Sequence, residues 1–273
     1  WKRISDAGAI FSPIKRTPLD RFWGMGDSVS YRMFEMMTHS FSPYEFNPFN
    51  FNPLRDVLSK TVDFEQIHLC ECTRLSICAT NVRTGKARVF SNKQVDLNVV
   101  MASACLPMLF QAVEIDGEAY WDGGYAGNPA IYPLIYNTDT SDVLIVHINP
   151  IARKQIPKRA SDIYNRINEI SFNSSLLREM RAIAFATRLI DDDWIKPEYR
   201  DRLKRLNIHA IRSDDVMSDF SVASKFETDW KFLTRLRDLG REAASIWLQT
   251  HFDKVGVTSS VDIRNEYLEG KKL

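Results

Sequence analysis

The chain has 273 residues, of which 44% are hydrophobic and 26% charged, and its 36 basic and 35 acidic residues give a net charge of +1. This composition is that of an ordinary globular protein, and the near-neutral balance excludes the positive whole-chain field of a nucleic-acid-binding protein. No uninterrupted apolar stretch approaches the roughly 20 residues that a membrane-spanning helix needs.

Residues 41–53 form an aromatic segment, in which five aromatic side chains alternate with Asn, Ser and Pro. Because proline fixes φ and removes a backbone donor, we predict no regular helix or strand within it. Asn52 and Pro53 then predict the N-cap and first residue of a helix. We interpret the segment as a surface connection whose rings pack on the body of the protein, with a lipid-touching lid as the alternative.

A β-rich stretch follows the aromatic segment. The alternating pattern of Ile67–Cys72 predicts a strand, the apolar run Leu75–Ala79 predicts a second one, and Val82–Lys86 predicts a hairpin turn. Small residues from about Leu97 to Cys105 predict a helix that lies close to the sheet. The continuous apolar run Val143–Ile148 is typical of a central parallel strand that is covered on both faces.

Strands separated by helical segments predict a three-layer α/β/α sandwich with a mainly parallel central sheet. The composition changes near residue 150, so we expect a core over residues 1–150 and a mostly helical extension, residues 151–273, packed on it. Three elements are predicted in the extension: a helical region from Ile163 to Ile190 interrupted near Asn173–Ser175, a strand over Leu206–Ile211, and a last helix from about Thr228 to Phe252.

The four cysteines are Cys70, Cys72, Cys78 and Cys105. On the predicted strand Cys70 and Cys72 face the same side and are poorly placed for a mutual disulfide. The spacing also lacks the paired pattern of a zinc site. We therefore predict buried, reduced thiols in a cytoplasmic protein.

Three adjacent aspartates, residues 191–193, point in divergent directions, which predicts a solvated helix end rather than a metal site.

The most informative feature is Trp121-Asp122-Gly123-Gly124, where an aspartate at the end of an apolar approach meets two glycines. The glycines leave the backbone free to turn and let another segment come close. A carboxylate presented there can accept a proton or orient a partner, and the alternative is an ordinary turn aspartate. Asp122 and His147 also keep the chain order of a Ser-Asp-His triad, although a histidine inside an apolar run is typical of a protein core.

Three motifs follow one another in the first 150 residues. Ala79–Gly85 reads A-T-N-x-x-T-G, Ser103–Phe110 reads S-x-x-x-P-x-x-F, and Asp122–Pro129 places an Asn-Pro shortly after Asp-Gly-Gly. This order resembles the patatin-like phospholipases and acyl hydrolases. The resemblance implies that Asp122 is the second member of a Ser-Asp dyad, with Gly123 and Gly124 as its supporting turn. The C-terminal part resembles the helical extension of some bacterial patatin-like proteins.

The family's nucleophile motif, G-x-S-x-G, and the glycine-rich loop that precedes it do not occur in the sequence. The nearest string, Gly24–Ser30, places no serine between two glycines at the required spacing. Because the chain also begins at Trp1 rather than Met, we expect a fragment whose nucleophile serine is not in this chain. Such a chain is expected to be inactive on its own.

The resemblance implies a serine acyl-ester hydrolase that acts on acyl lipids, phospholipids or polyesters. It implies no metal, no organic cofactor and no nucleic-acid partner. It allows peripheral contact with a membrane or a lipid granule, and it makes the missing N-terminal segment a partner of the chain. An alternative from a different class is a non-catalytic lipid- or protein-binding scaffold, with the aromatic segment and the helical tail as its interaction surface.

Overall fold

The computed structural model describes residues 1–11, 33, 36–38, 40–153, 155–218, 220, 224 and 227–269. Its contacts divide the chain into two compact units. Unit 1 comprises Trp1–Gly127 and Ser221–Leu236, and unit 2 comprises Asn128–Phe220 and Arg237–Leu273. The sequence places a boundary at residue 150, whereas these contacts assign residues 128–150 to unit 2.

Unit 1 combines short helices with a four-stranded sheet. Its helices are α1 (Lys2–Phe11), α2 (Pro43–Phe46), α3 (Pro53–Ser59), α4 (Phe64–Leu69) and α5 (Leu97–Ser103), with 3-10 turns at Asn92–Gln94 and Gly123–Tyr125. Its strands are β1 (Ser76–Asn81), β2 (Ala87–Ser91), β3 (Val113–Ile115) and β4 (Glu118–Asp122). The expectation of no regular helix within residues 41–53 is wrong for α2, where Pro43 is at the start of the helix and Glu45 accepts a hydrogen bond from the Ser42 N–H at 2.7 Å. The predicted start of α3 is confirmed, because the Asn52 side chain accepts a hydrogen bond from the Leu54 N–H.

The four strands lie in the order β2-β1-β4-β3, and every neighbouring pair is antiparallel. The sequence predicts a mainly parallel sheet, and this sheet differs because it is built from two hairpins. The β1–β2 hairpin is the predicted one. The β3–β4 hairpin turns at Asp116-Gly117, where both residues have positive φ, as a two-residue hairpin turn requires. The α/β character of the chain is retained, since both helices and strands occur along it.

The predicted strand over Ile67–Cys72 is wrong, because Phe64–Leu69 is helix α4. Asp63 caps this helix by accepting a hydrogen bond from the Gln66 N–H at 3.2 Å, and the cap outweighs the short alternating pattern. The chain then leaves the helix at Cys70 and passes through an irregular loop before β1 begins.

The core of unit 1 lies between the sheet and α5. Its buried side chains are Ala79, Phe90, Val95, Val99, Ala102 and Tyr120. The small residue Ala102 on α5 and Ala79 on β1 are both fully buried, as expected for a helix that approaches a sheet closely. This packing holds the segment that follows α5 in place. That segment in turn contacts the backbone at the end of strand β4.

Unit 2 is built on one long helix and a pair of parallel strands. Its elements are α6 (Tyr132–Asn137), β5 (Asp142–His147), α7 (Ala160–Asp191), a 3-10 segment (Pro197–Arg202), β6 (Asn207–Arg212), α8 (Asp214–Met217), the part of α9 (Trp230–His251) from Arg237 onward, a 3-10 turn (Phe252–Lys254) and a π-helical turn (Arg264–Leu268). Strands β5 and β6 pair in parallel, with Asp142 opposite Asn207. The strand predicted over Leu206–Ile211 and the last helix are thus confirmed.

Two expectations for unit 2 are wrong. Helix α7 runs through the Asn173–Ser175 triplet without interruption, because Ser174 and Ser175 donate hydrogen bonds back to carbonyls three residues earlier. Strand β5 is buried on one face only. Val143 and Ile145 lie in the core, whereas Leu144 is 47% exposed and Val146 is 67% exposed.

Candidate active site

The three sequence motifs meet at the backbone of Asp122. Strand β4 ends at this residue, where Asp122 pairs with Ala79 of β1. The Thr80 hydroxyl donates a hydrogen bond to the Asp122 carbonyl at 2.8 Å, and the Asp122 N–H donates to the Cys105 carbonyl at 2.9 Å. Thr80 belongs to the first motif and Cys105 to the second, so residues far apart in sequence fix both backbone groups of the aspartate.

The Asp122 carboxylate caps the short helical turn that follows it. Its Oδ1 accepts a hydrogen bond from the Gly124 N–H at 2.7 Å. Burial raises the pKa of this carboxyl, and the Gly124 N–H lowers it in part. Within the described residues no donor is directed at Oδ2, so one carboxylate oxygen is held by the backbone and the other is free to take a proton.

Gly123 cannot be replaced by a residue with a side chain without moving the backbone. A Cβ at this position would lie 2.1 Å from the Cys78 carbonyl oxygen and 2.6 Å from the Cys78 carbonyl carbon. Strand β1 and the turn after β4 therefore approach as closely as two backbones can. The glycine has the role expected of it from the sequence, since it lets another chain segment come close to the aspartate.

Two cysteine thiols contribute to the surroundings of Asp122. Burial, followed by the negative charge of Asp122, raises the pKa of Cys78 to about 11, and the same two causes raise that of Cys105 to about 11. Both thiols are therefore protonated and uncharged near neutral pH. The Cys105 thiol donates to the Gln111 carbonyl at 3.2 Å. Among the described residues no cationic side chain acts to lower the pKa of Asp122, which leaves the carboxylate more basic than an exposed aspartate.

The remaining motif residues build the frame around this turn. Asn81 Oδ1 accepts hydrogen bonds from the Thr84 N–H and hydroxyl at 2.9 and 3.0 Å. Its amide nitrogen donates to Glu118 at 3.0 Å, which ties the β1–β2 turn to β4. Ser103 closes the end of α5 by donating to the Val100 carbonyl at 2.8 Å. These contacts are structural, and they explain why the motif residues have these identities.

His147 lies in the core of unit 2. Its Nε2 is 3.4 Å from Asn173 Oδ1 and its Nδ1 is 4.0 Å from the Asp214 carboxylate. Burial lowers the pKa of this histidine, and the hydrogen bond that His147 donates to Asn173 Oδ1 and the charge of Asp214 offset part of that effect. Among the described residues, three buried polar atoms of His147 and its neighbours have no hydrogen-bond partner: His147 Nδ1, Asp214 Oδ1 and the Tyr267 hydroxyl.

Sequence reasoning missed a second polar arrangement in unit 2. His209 Nε2 lies 3.0 Å from Asp142 Oδ1, and His209 Nδ1 lies 3.1 Å from the Ser260 hydroxyl. Asp142 also accepts a hydrogen bond from the Gly256 N–H at 2.9 Å. The histidine is 1% exposed, so this group fastens the segment around Ser260 to the parallel strands. The three residues are separated by more than 50 positions, and no local pattern connects them.

The acidic triplet at the end of α7 is occupied by ion pairs. Arg205 Nε lies 2.9 Å from Asp191 and Arg188 Nε lies 3.2 Å from Asp192. In the part of the chain that the structure describes, no three His, Cys, Asp or Glu side chains are arranged to hold a metal ion. None of the described helices has the length and apolar character to cross a membrane. The string Gly24–Ser30 lies outside the described residues.

Comparison with known proteins finds a similarity within the first half of the chain. The family model described as patatin-like phospholipase matches residues 21–135, which include Asp122 and the two glycines. A search of curated proteins finds no match. The matched residues contain all three motifs that meet at Asp122. Residues 21–135 are therefore similar to the patatin-like phospholipase family.

Proposed function

We propose that the chain is the aspartate-bearing part of a serine acyl-ester hydrolase that acts on lipid substrates through a Ser-Asp dyad. The observation that carries the proposal is Asp122, a half-buried carboxylate with a raised pKa, held at the meeting point of three family motifs. The bacterial type, the assignment of residues 1–150 to the hydrolase core and that of residues 151–273 to a helical extension are parts of the same proposal.

Asp122 acts as the general base. Its Oδ2 takes the proton of a serine hydroxyl as the serine oxygen attacks the ester carbonyl, and gives that proton to the alcohol that leaves when the ester C–O bond breaks and the acyl-enzyme forms. Asp122 then takes a proton from the water that attacks the acyl-enzyme and returns it to the serine oxygen as the carboxylic acid is released. The hydrogen bond from Gly124 to Oδ1 keeps the carboxylate in one orientation throughout. Gly123 supports the same arrangement by fixing the turn against β1.

The serine and the oxyanion donors come from a segment that carries G-x-S-x-G and a glycine-rich loop, neither of which occurs in residues 1–273. Backbone N–H groups of that loop stabilise the negative oxygen of the tetrahedral intermediate. The chain by itself therefore does not complete the reaction. A triad that uses His147 is disfavoured, because the described partners of this buried ring are Asn173 and Asp214.

The aromatic segment, residues 41–53, is the lipid-contacting surface in this proposal. The expectation that its rings pack on the protein is wrong for most of them, since Phe41, Tyr44, Phe49 and Phe51 are each more than half exposed. The segment is nevertheless anchored. Tyr44 accepts a hydrogen bond from the Ala112 N–H at 3.2 Å. Anchored, outward-facing aromatic rings are suited to the interface between water and lipid.

A fluorophosphonate serine-hydrolase probe tests the dyad. It would be applied to residues 1–273 alone and to a polypeptide that also contains the G-x-S-x-G segment. The proposal expects label only on the serine of that motif in the longer polypeptide, at a rate that falls when Asp122 is replaced by Asn. A longer polypeptide that takes no label but still binds acyl-lipid vesicles would establish the alternative, a non-catalytic lipid-binding scaffold.

A further inference from the structure

Two cysteine sulfurs lie side by side in the loop between α4 and β1. Cys70 Sγ and Cys72 Sγ are 3.3 Å apart, a separation made possible because Cys70 ends a helix and does not lie on a strand. Cys72 is exposed and Cys70 is half-buried, so reagents can reach the pair. The proposed hydrolysis uses neither thiol.

The loop that carries the pair is held in place by one side chain. Asn92 donates from its amide nitrogen to the Cys70 carbonyl at 3.2 Å and to the Thr73 carbonyl at 2.8 Å. Its amide oxygen accepts from the Leu75 N–H at 2.7 Å. Asn92 thus donates two hydrogen bonds and accepts one, which fixes the backbone on both sides of Cys72. The short distance between the sulfurs is therefore a feature of the folded loop.

The surroundings of Cys70 favour its thiolate. A hydrogen bond from the Cys72 thiol, together with the Thr73 and Cys72 backbone N–H groups, lowers the pKa of Cys70. The other two cysteines differ in this respect, because burial raises the pKa of Cys78 and of Cys105 to about 11. A thiolate is the nucleophile in thiol–disulfide exchange, so the four cysteines separate into one reactive pair and two inert thiols.

We propose that Cys70 and Cys72 form a reversible thiol-modification site that closes to an intraloop disulfide by exchange with a low-molecular-weight disulfide such as oxidised glutathione. The Cys70 thiolate attacks one sulfur of the small disulfide, which releases one thiol and leaves a mixed disulfide on Cys70. The Cys72 thiolate then attacks Cys70 Sγ and releases the second thiol. Both cysteines are oxidised, the small disulfide is reduced to two thiols, and these carry away the two protons.

Closure requires only a local movement. The two sulfurs must approach from 3.3 Å to the roughly 2 Å of a disulfide bond, and they belong to residues two positions apart in one loop whose backbone Asn92 holds. Such preorganisation raises the effective concentration of one thiol at the other. The folded protein should therefore close more readily than the same sequence in a flexible peptide.

Trypsin cleavage provides a direct assay, because the tryptic peptide of residues 61–74 contains Cys70 and Cys72 and no other cysteine. The reduced chain would be equilibrated with mixtures of reduced and oxidised glutathione, and the exchange would be quenched with acid. Free thiols would then be alkylated, the chain digested with trypsin, and the peptide masses measured by mass spectrometry. The proposal expects this peptide to lose the mass of two hydrogens while Cys78 and Cys105 remain alkylated. It expects the equilibrium constant for closure to exceed that of a synthetic 61–74 peptide by about tenfold.

Variants separate the steps. Cys72→Ser should trap the glutathione mixed disulfide on Cys70, and Asn92→Ala should move the closure constant toward that of the free peptide. A wild-type protein in which the mixed disulfide on Cys70 persists, or in which the peptide remains fully alkylated, would overturn the proposal. Equal closure constants for the folded protein and the synthetic peptide would overturn it too, and this comparison does not depend on any variant folding.

Discussion

Gly123 allows the closest approach between two backbone segments near Asp122. We expect Gly123→Ala to lower the free energy of unfolding by about 3 kcal/mol, because its Cβ would overlap the Cys78 carbonyl, which β1 holds in place. Urea denaturation measures this change. The matched control is Gly240→Ala, which has open space around the new Cβ and lies within α9. It should be stabilising by about 0.5–1 kcal/mol. Equal effects at the two glycines would contradict the close approach.

The sequence singles out Asp122 as a candidate because its signal is local: a strand end, two glycines and two further motifs in order. It does not identify the hydrogen bonds from Thr80 and to Cys105, since these join Asp122 to residues 42 and 17 positions away. The cysteine pair was misjudged for a related reason. Its geometry follows from the helix cap at Asp63 and from the Asn92 side chain, and neither is part of the alternating pattern that predicted a strand.

Helix α7 carries a buried carboxylate that is held by two arginines. Glu169 is 3% exposed. Arg153 donates to it from Nε at 2.9 Å and Arg166 from a terminal nitrogen at 3.2 Å. Burial raises the pKa of this carboxyl, but the hydrogen bonds and charges of the two arginines outweigh burial, so the pKa lies below its usual value. The ion pair connects the segment after β5 to the middle of α7.

We expect Glu169→Gln to destabilise the protein by about 2 kcal/mol, because it removes the charge that both arginines face in a largely buried position. Asp192→Asn is the control. It breaks the exposed Arg188–Asp192 pair on the same helix, and such pairs contribute less than about 0.5 kcal/mol. Urea midpoints of the two variants measure the difference. A Glu169→Gln effect as small as that of the control would refute the role given to this pair.

The aromatic segment makes a prediction about lipid binding. Phe49 is 95% exposed, so Phe49→Ser should change folding stability by less than about 0.5 kcal/mol. Loss of the Phe49 ring should weaken the partition of the protein onto phospholipid vesicles about tenfold, since burial of a phenylalanine side chain contributes roughly 1.5–3 kcal/mol to the free energy of transfer from water. Phe185→Ser on α7, where the ring is 62% exposed, is the control and should bind vesicles like the wild type. Equal binding by all three proteins would rule out the segment as a lipid contact.

At the level of elements, the sequence predicts the position of most helices and strands but not the pairing of the strands. Strands joined by a hairpin and strands joined by a crossover contain the same β-forming residues. Whether two strands pair as antiparallel or parallel neighbours depends on the connection between them, such as the turn Asp116-Gly117, in which both residues have positive φ. The interruption expected in α7 does not occur because Ser174 and Ser175 satisfy their hydroxyls within the helix. The sequence predicts that strand β5 is buried on both faces, because the residues on its exposed face are apolar like those on its buried face.

The stability of the whole chain should depend on pH through His147. Burial lowers the pKa of this histidine in the folded state, whereas its unfolded pKa is about 6.5. As the pH falls below about 6.5, the unfolded state binds a proton that the folded state resists, so the free energy of unfolding falls until the pH passes the folded pKa. Above pH 6.5 this contribution is fully present. Asp214, Arg212, Asn173 and Tyr267 are the polar groups around it.

Urea denaturation at several pH values between 7.5 and 5 tests this dependence. The wild-type midpoint should decrease across this range, and His147→Gln should flatten the decrease because glutamine does not titrate. A variant whose midpoint changes with pH as steeply as that of the wild type would show that other groups control the acid sensitivity.

Across the whole molecule, the proposed chemistry depends on Asp122, which lies within the residues that match the patatin-like phospholipase family model. The most direct test is the rate of acyl-ester hydrolysis by a polypeptide that contains both the G-x-S-x-G segment and residues 1–273, with Asp122→Asn compared with Asp116→Asn. Asp116 lies in the turn between β3 and β4, is exposed and pairs with Arg88, so its variant should keep the wild-type rate. Loss of the general base should lower kcat about a thousandfold for Asp122→Asn. A kcat for Asp122→Asn within about twofold of the Asp116→Asn value would contradict the assignment of Asp122 as the catalytic base.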